Sequence, residues 1–288
     1  MPLILVATDF SARSDLALQR AHLLARQLSS SLLLLHAVDD DQPEALIGVE
    51  RQAAASILHE LAQTSRDASI DCEARVAFGA SFQAILKTAD ESGAALIVLG
   101  AHRRQALLDS VLGTTVERTV RHSRLPVLIA KTAPAGPYRN VLITTDLSEN
   151  SIIAAQEART LGLLDEAKTV IMHAFATPVT SPVLQSSMTV QELADRLGQE
   201  EQRVLDELRG TLRKVGIEAE LRAVLLSEKS VRMAIEECAN EIQADLVVVG
   251  THGRTGIDRW FLGSVAEAVL ANLEIDVLAV PARVPLTH

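Results

Sequence analysis

The sequence has few aromatic residues. Phe, Tyr and Trp make up 2% of its 288 residues, with a single Tyr and a single Trp. A folded core must therefore be built mainly from Leu, Val, Ile and Ala, which dominate the 48% hydrophobic fraction. With 22% charged residues, this is the composition of a globular protein and not of a disordered one. The length allows two domains of ordinary size.

Cysteine and long apolar runs are also scarce. Cys72 and Cys238 are the only cysteines, too few for a disulfide framework or a zinc cluster. No apolar run approaches the roughly 18 residues that span a bilayer. Residues 1–7 lack the basic start and the cleavage site of a secretory signal. We therefore expect a cytoplasmic protein without a membrane span or a metal site, although the acidic run 39–41 leaves open either a solvated loop or a metal ligand.

Positive charge is in deficit. The chain has 27 Lys and Arg against 37 Asp and Glu, a formal net charge of −10. A general nucleic-acid binder needs a basic surface to displace counterions from phosphates. We therefore predict no nucleic-acid partner, and any bound phosphate must be held by backbone N–H groups and a few side chains.

The sequence contains an internal repeat. Residues 3–11 return as 140–148, and residues 94–102 return as 244–252 at a larger offset. The difference in offset indicates an insertion after His173. Two copies of this size are a domain duplication, because solenoid repeats are several-fold shorter.

The joint between the copies predicts the domain boundaries. Residues 131–139 contain two prolines and a glycine, which interrupt both helices and strands. The prediction is a first domain of residues 1–133, with a degenerate ligand motif, and a second domain of residues 138–288, with an intact one.

Strand and helix patterns alternate within each copy. Ser11 begins a helix with apolar residues at helical spacing, and Thr189 with Glu192 forms a capping box ahead of another. Residues 3–7 are a short, continuous apolar run, which is typical of a parallel strand buried on both faces. The other strands predicted in the first copy are residues 32–35, 73–77, 96–99 and 127–130. The pattern predicts an α/β fold of two repeated domains, each an open, Rossmann-like, five-stranded parallel sheet with helices on both faces. Ligands of such folds lie beyond the carboxyl ends of the strands.

The strongest signal for a ligand follows the fourth strand of the second copy. Gly250, Gly253 and Gly256 would let the backbone adopt positive φ and approach a ligand closely. Gly263 and Ser264 then open a helix, whose free N–H groups and dipole attract an anion. This arrangement predicts a phosphate site without a Walker lysine, with a flexible loop as the alternative for the glycine-rich segment.

These features together resemble the universal stress protein family. Gly250, Gly253, Gly263 and Ser264 match the family signature of Gly, two residues, Gly, nine residues, Gly, then Ser or Thr. The aspartate after the first strand, the histidine that ends the second strand and the duplication resemble the tandem members of the family over nearly the whole chain. The resemblance implies an adenine-nucleotide-binding fold and an ATP-binding regulator of the stress response.

The resemblance also implies a nucleotide site in the second copy. The motif glycines and Ser264 would contact phosphates and ribose, and Asp146 and Ala174 would lie around the adenosine. The implied ligand is ATP, with or without Mg²⁺. The predicted binding residues are Thr144, Asp146, Ala174, Val249, Gly250, His252, Gly253, Arg254, Gly263, Ser264 and Val265.

Simpler roles stay open for several of these residues and their counterparts. Asp146, like Asp9 in the first copy, could only cap the following helix. His36 and His173 could be structural imidazoles or ligand contacts. Arg254 could be a solvated loop charge or a phosphate ligand.

The first copy departs from the motif. Arg103 stands where the second copy has Gly253, and Ala106 where it has Gly256. A side chain in the path of the backbone should displace a phosphate, although the basic segment 102–104 favours an anion. We expect an impaired site in the first copy and one nucleotide per chain.

No catalytic constellation appears in the sequence. It has no nucleophile elbow, Ser-His-Asp order or metal-binding His pair, so we predict no catalytic residues and at most weak ATP hydrolysis. The alternatives to an ATP-binding regulator are a weak ATP hydrolase and a nucleotide-free stress scaffold. Residues 127–130 and 277–280 should be sheet edges that invite pairing. We expect the halves to form a pseudo-dimer within the chain, and chains to associate further into a homo-oligomer, with the regulated protein partner unknown.

Overall fold

The computed structural model of the chain describes residues 2–101, 114–177, 188–227, 229–252 and 262–282. The strands are β1 (Leu3–Ala7), β2 (Ser31–Val38), β3 (Cys72–Phe78), β4 (Ala94–Gly100), β5 (Val127–Ala130), β6 (Asn140–Thr145), β7 (Lys168–Phe175), β8 (Glu220–Leu225), β9 (Leu246–Gly250) and β10 (Asp276–Val280). The helices are α1 (Ala12–Leu28), α2 (Glu44–Asp67), α3 (Ser81–Ser92), α4 (Thr115–His122), α5 (Glu149–Thr160), α6 (Val190–Val215), α7 (Val231–Glu241) and α8 (Ser264–Asn272).

The ten strands form one sheet in the order β3-β2-β1-β4-β5-β10-β9-β6-β7-β8. Within each half all pairings are parallel. At the centre β5 pairs antiparallel with β10, with Leu128 opposite Leu278. The predicted α/β fold with two open, five-stranded parallel sheets is confirmed, and the two sheets join through their last strands as a pseudo-twofold pair.

The core lies on both faces of this sheet. In β1, Ile4 and Val6 belong to one buried hydrophobic cluster and Leu5 to the other, because successive side chains of a strand point to opposite faces. Each cluster extends across both halves: the first includes Val141 and the second Leu142. Apolar packing on both faces explains why central strands such as β1, β5 and β9 are continuous apolar runs in the sequence.

The helix starts follow the predicted capping residues. The Ser11 side chain accepts a hydrogen bond from Ser14 N at the start of α1. Thr189 and Glu192 form the predicted capping box of α6, with Glu192 N donating to Thr189 Oγ1 and Thr189 N donating to Glu192 Oε2. Among the residues that the structure describes, no helix is both long and apolar enough to cross a membrane.

A buried polar cluster holds the joint between the halves. Asp276, at the start of β10, is fully buried and accepts hydrogen bonds from Arg20 Nε at 3.0 Å and Tyr138 Oη at 2.7 Å. Lys131 N donates to the other carboxylate oxygen at 2.8 Å. Burial, and then the neighbouring Asp276, raise the pKa of Tyr138 well above its usual range, so the phenol stays a donor. The first half has no equivalent of this cluster, because Pro126 occupies the position that corresponds to Asp276 in the repeat.

Candidate functional site

A cavity of about 290 Å³ lies at the carboxyl ends of β6, β7 and β9 in the second half. Every predicted binding residue that the structure describes lines it: Thr144, Asp146, Ala174, Val249, Gly250, His252, Gly263, Ser264 and Val265. Gly253 and Arg254 lie outside the described residues. The structure therefore brings together residues that are far apart in the sequence. They meet at the carboxyl ends of the strands, where open α/β folds bind ligands.

The turn after β6 places Asp146 at this cavity. Leu147 has φ 65°, a left-handed conformation, and its N–H donates to Thr145 Oγ1 at 3.0 Å. Asp146 Oδ1 accepts from Ser148 N at 3.0 Å and also from the Ser148 hydroxyl. Ser148 in turn caps α5 by accepting from Ser151 N. Asp146 thus supports the helix cap and lines the cavity, so the two readings of this residue are compatible.

A histidine recurs at the same position in the two halves of the repeat, and the structure explains why. His173 Nδ1 lies 2.8 Å from the carbonyl oxygen of Thr145, and His36 Nδ1 lies 2.8 Å from that of Thr8. Because a carbonyl oxygen only accepts, Nδ1 carries the proton in both. Each imidazole ties the end of the second strand to the end of the first, which favours the structural reading of both histidines.

The N-terminus of α8 opens into the cavity without a side-chain cap. Gly263 is the N-cap residue, and its own N–H donates to Thr251 O at 2.8 Å. The N–H groups of Ser264, Val265 and Ala266 have no acceptor within the helix, as in any first turn. These three residues line the cavity, so donors and the positive end of the helix dipole are available to an anion there.

The glycines act differently from the sequence-based expectation. Gly250 has no positive φ, so that part of the prediction is wrong, and a Cβ on it would lie 3.5 Å from Asn150 O, an ordinary contact. Gly263 has φ −60°, and a Cβ on it would lie 3.1 Å from Thr251 O, which is tight. What the glycines provide here is space beside the backbone and not an unusual conformation; Gly253 and Gly256 lie outside the described residues.

His252 contributes a buried nitrogen with an unused hydrogen-bonding capacity. Its Nδ1 lies 2.8 Å from Thr251 Oγ1, whereas its buried Nε2 has no hydrogen-bond partner in the described part of the chain. Burial lowers the pKa of His252 below its ordinary value, so the imidazole is neutral at pH 7. Buried polar atoms are nearly always hydrogen-bonded, so this nitrogen, in a residue that lines the cavity, is an exception.

The sequence analysis missed an apolar wall of the cavity. Val231 and Ile235, one helical turn apart on α7, line it together with Met172 of β7. Their first-half counterparts, Ser81 and Ile85, also line a cavity in the structure, but no motif in the sequence marks either pair.

The family model described as the universal stress protein family matches residues 2–131 and again residues 137–281. The chain belongs to the universal stress protein family. Two matches in one chain confirm that it is a tandem member of the family.

Among the residues that the structure describes, no three His, Cys, Asp or Glu side chains lie together as a metal site.

Relatives of this universal stress protein match over most of its length. Universal stress protein E from Escherichia coli (strain K12) is 26% identical over 252 residues, 84% of this chain and 78% of that protein. A universal stress protein of Mycobacterium tuberculosis is 24% identical over 298 residues, 96% of this chain and 95% of that protein. The crystal structure of a universal stress protein from Archaeoglobus fulgidus DSM 4304 has a TM-score of 0.72 at 20% identity, covering 97% of this chain and 96% of its own. That likeness shows the fold.

Proposed function

We propose that this universal stress protein binds ATP in its second domain and uses the nucleotide as a regulatory ligand. The observation that carries the proposal is the uncapped N-terminus of α8 at the cavity, where the first-turn N–H groups lack acceptors within the helix. A phosphate group would accept from these donors and interact favourably with the helix dipole. The Ser264 hydroxyl lines the same cavity and adds a donor for phosphate or ribose oxygens.

The other end of the cavity suits the nucleoside. Met172, Val231 and Ile235 form an apolar wall against which a flat base can pack. Asp146 is a hydrogen-bond acceptor for ribose hydroxyls, and its position is fixed by the turn that caps α5. The cavity volume of about 290 Å³ is near the lower end of the ~300–1,000 Å³ typical of small-molecule sites. It therefore suits the nucleoside, with the phosphates along the start of α8. Mg²⁺ would be held through the phosphate oxygens.

We assign no catalytic residue. Hydrolysis of ATP needs a group that orients water in line with the γ-phosphate, and the sequence offers no evident candidate. ATP bound without turnover acts by stabilising one conformation of the protein or of its complex with a partner. Cytoplasmic location, further self-association and the existence of a regulated protein partner belong to this proposal as predictions from the sequence.

Equilibrium binding of labelled ATP to the full chain, counted per chain, tests the proposal. We expect about one ATP per chain, ATP among the small molecules released from denatured purified protein, and negligible steady-state phosphate release. Gly263→Val should abolish binding, because a branched side chain blocks the approach to the helix N-terminus. Sustained phosphate release would favour the hydrolase instead, and absence of any nucleotide would favour the scaffold.

Two further variants separate an effect on ATP binding from an effect on folding. Because a Cβ at residue 263 is already tight against Thr251 O, thermal unfolding of Gly263→Val must be measured in parallel. Ser264→Ala and Asp146→Asn add no atoms beside the backbone and should each weaken ATP binding by roughly tenfold, the value of one or two lost hydrogen bonds. Wild-type affinity in both variants would place the nucleotide elsewhere.

A further inference from the structure

The first domain has its own cavity, of about 450 Å³, at the carboxyl ends of the equivalent strands β1, β2 and β4. Thr8, Asp9, Ala37 and Gly100 line it, the repeat counterparts of Thr145, Asp146, Ala174 and Gly250 in the second-domain cavity. The apolar wall is repeated in part: Leu35 and Ile85 correspond to Met172 and Ile235, whereas Ser81 stands where the second half has Val231. The end of the cavity that we propose for a nucleoside is thus present twice. Arg103 and Ala106, expected from the sequence to close the first site, lie outside the described residues.

The two cavities differ at the helix that follows. α4 starts one residue later in the repeat than α8, so its N-cap is Thr114, the counterpart of Ser264. Glu117 then falls at the third helical position and completes a capping box. Thr114 N donates to Glu117 Oε2 at 2.9 Å, and Glu117 N donates to Thr114 Oγ1 at 3.2 Å. A carboxylate of the protein therefore lies where an anionic ligand would meet the helix dipole.

The second domain has the same glutamate but does not use it in this way. Glu267 is the repeat counterpart of Glu117. Because α8 starts one residue earlier, Glu267 N donates to Gly263 O within the helix, and its side chain is exposed. The difference between a capped and an open helix end thus results from the start of the helix and not from a change of residue at this position.

The charges that line the first cavity oppose each other. Asp9 and Arg13 both line it, and Arg13 stands where the second half has the uncharged Asn150. Burial raises the pKa of Asp9, but the hydrogen bonds from Ser11 and Ser14 together lower it by more. The pKa therefore lies below its ordinary value, and the carboxylate is ionised at neutral pH. Arg13 offsets the charge of Asp9, so the exclusion of phosphates depends on Glu117. Its carboxylate occupies the Thr114 N–H, which corresponds to the open Ser264 N–H of the second domain.

We propose that the first-domain cavity is a separate site for an uncharged nucleoside, and that Glu117 excludes ligands with a phosphate chain. The choice of a nucleoside rests on the proposed function, because it follows from the walls shared with the second-domain cavity. The tandem chain then carries two sites of different selectivity, one for the nucleotide and one for the nucleoside without its phosphates.

Equilibrium dialysis of the full chain with tritiated adenosine, at saturating unlabelled ATP, tests the proposal. We expect about one adenosine per chain that ATP does not displace. Ala37→Leu should weaken this binding roughly tenfold or more by filling the cavity, and leave ATP binding unchanged. The matched variant Ala174→Leu should do the reverse. Complete displacement of adenosine by ATP, or loss of the adenosine site in Ala174→Leu alone, would overturn the proposal.

The role of Glu117 has its own test. Glu117→Gln keeps an acceptor for Thr114 N but removes the charge, and Glu117→Ala removes both. Each should raise the ATP stoichiometry from about one to about two per chain, whereas Glu267→Ala should leave it at one. Two ATP per wild-type chain, or one in both Glu117 variants with the fold intact by circular dichroism, would refute the exclusion. If no ATP binds at all but adenosine binds and Ala37→Leu abolishes it, the proposed function fails and the first-domain site stands.

Discussion

Gly100 and Gly250 occupy equivalent positions at the ends of β4 and β9, but the space beside them differs. A Cβ on Gly100 would lie 2.5 Å from the carbonyl oxygen of Arg13, in the first turn of α1. At Gly250 the nearest atom would be Asn150 O at 3.5 Å. The first distance cannot be accommodated without a backbone shift, whereas the second is normal packing.

Gly100→Ala should therefore destabilise the protein by about 1–3 kcal/mol, the usual range for overpacking. Gly250→Ala should change the free energy of unfolding by no more than ~0.5 kcal/mol, the range for sites without such a conflict. Urea unfolding of both variants at one pH measures the difference. Equal losses would show that the close approach of α1 to Gly100 does not restrict this residue.

His252 predicts a pH dependence. Burial lowers its pKa in the folded protein below the ordinary 6.5. As pH falls through 6.5, the unfolded chain takes up a proton that the folded chain does not, so stability falls from there down to the folded pKa. His252→Gln should lose less stability than wild type between pH 7.5 and pH 5.5, measured by urea unfolding.

His22 is a second test of the same effect. Burial, and then the charge of Arg26, lower its pKa, so His22→Gln should also reduce the loss of stability at acid pH. The double variant should show the sum of the two reductions, because distant sites are usually additive. An acid-side slope unchanged in all three variants would contradict the assigned shifts.

At the scale of helices and strands, the sequence predicted the regular structure well. The bounds of β1 and β5 agree with the apolar runs, because strands buried on both faces need apolar residues throughout. Ser11 and the pair Thr189–Glu192 start their helices as predicted, because capping depends on neighbouring residues only. Local chemistry was therefore sufficient for these elements.

The features that escaped prediction depend on distant contacts or on a shift of one residue. The difference between α4 and α8 is invisible in the sequence, since Gly113-Thr114 and Gly263-Ser264 look equivalent. The Arg20–Asp276 contact joins residues 256 positions apart. The residues of the second-domain cavity were predicted from motif spacing, whereas its α7 wall has no motif.

The different helix starts give a prediction for stability. Thr114 is the N-cap of α4 and accepts a hydrogen bond from Glu117 N; Ser264 is the first residue of α8 and caps nothing. Thr114→Ala should cost about 1 kcal/mol, within the 0.5–2 kcal/mol typical of a lost cap. Ser264→Ala, its matched control, should cost much less in the absence of ligand. Chemical denaturation of the two apoproteins decides, and equal costs would contradict the assigned caps.

At the scale of the whole molecule, the buried Asp276 cluster should make the two halves unfold together. Asp276→Asn leaves Arg20 buried without its counter-charge, and breaking such a pair costs about 3–5 kcal/mol. Wild type should unfold in one cooperative urea transition, and the variant at lower urea, with the β5–β10 pairing lost first in hydrogen exchange. The exposed pair Lys168–Glu220 provides the control, since Glu220→Gln should have little effect.

Any further self-association must use other surfaces than the two last strands. β5 and β10 are paired with each other, and the free edges of the sheet are β3 and β8. Both carry charged residues that form ion pairs, Arg75 with Glu91 and Arg222 with Glu241, which discourages edge-to-edge pairing. The predicted homo-oligomer should therefore form through helix faces. Light scattering on a charge-reversal variant of β3 should give the wild-type mass; a change in mass would show that the edge is used.

The short linker between the two halves, residues 131–139 between β5 and β6, has a consequence for abundance. Two separate chains that pair through their last strands come apart on dilution, because their association is second order in protein. Here the second half, which carries β10, is tethered to β5 by this short linker, which sets an effective concentration on the order of millimolar. The joint therefore closes at a rate independent of expression level. A cell can hold this protein at a few copies and still have every molecule assembled.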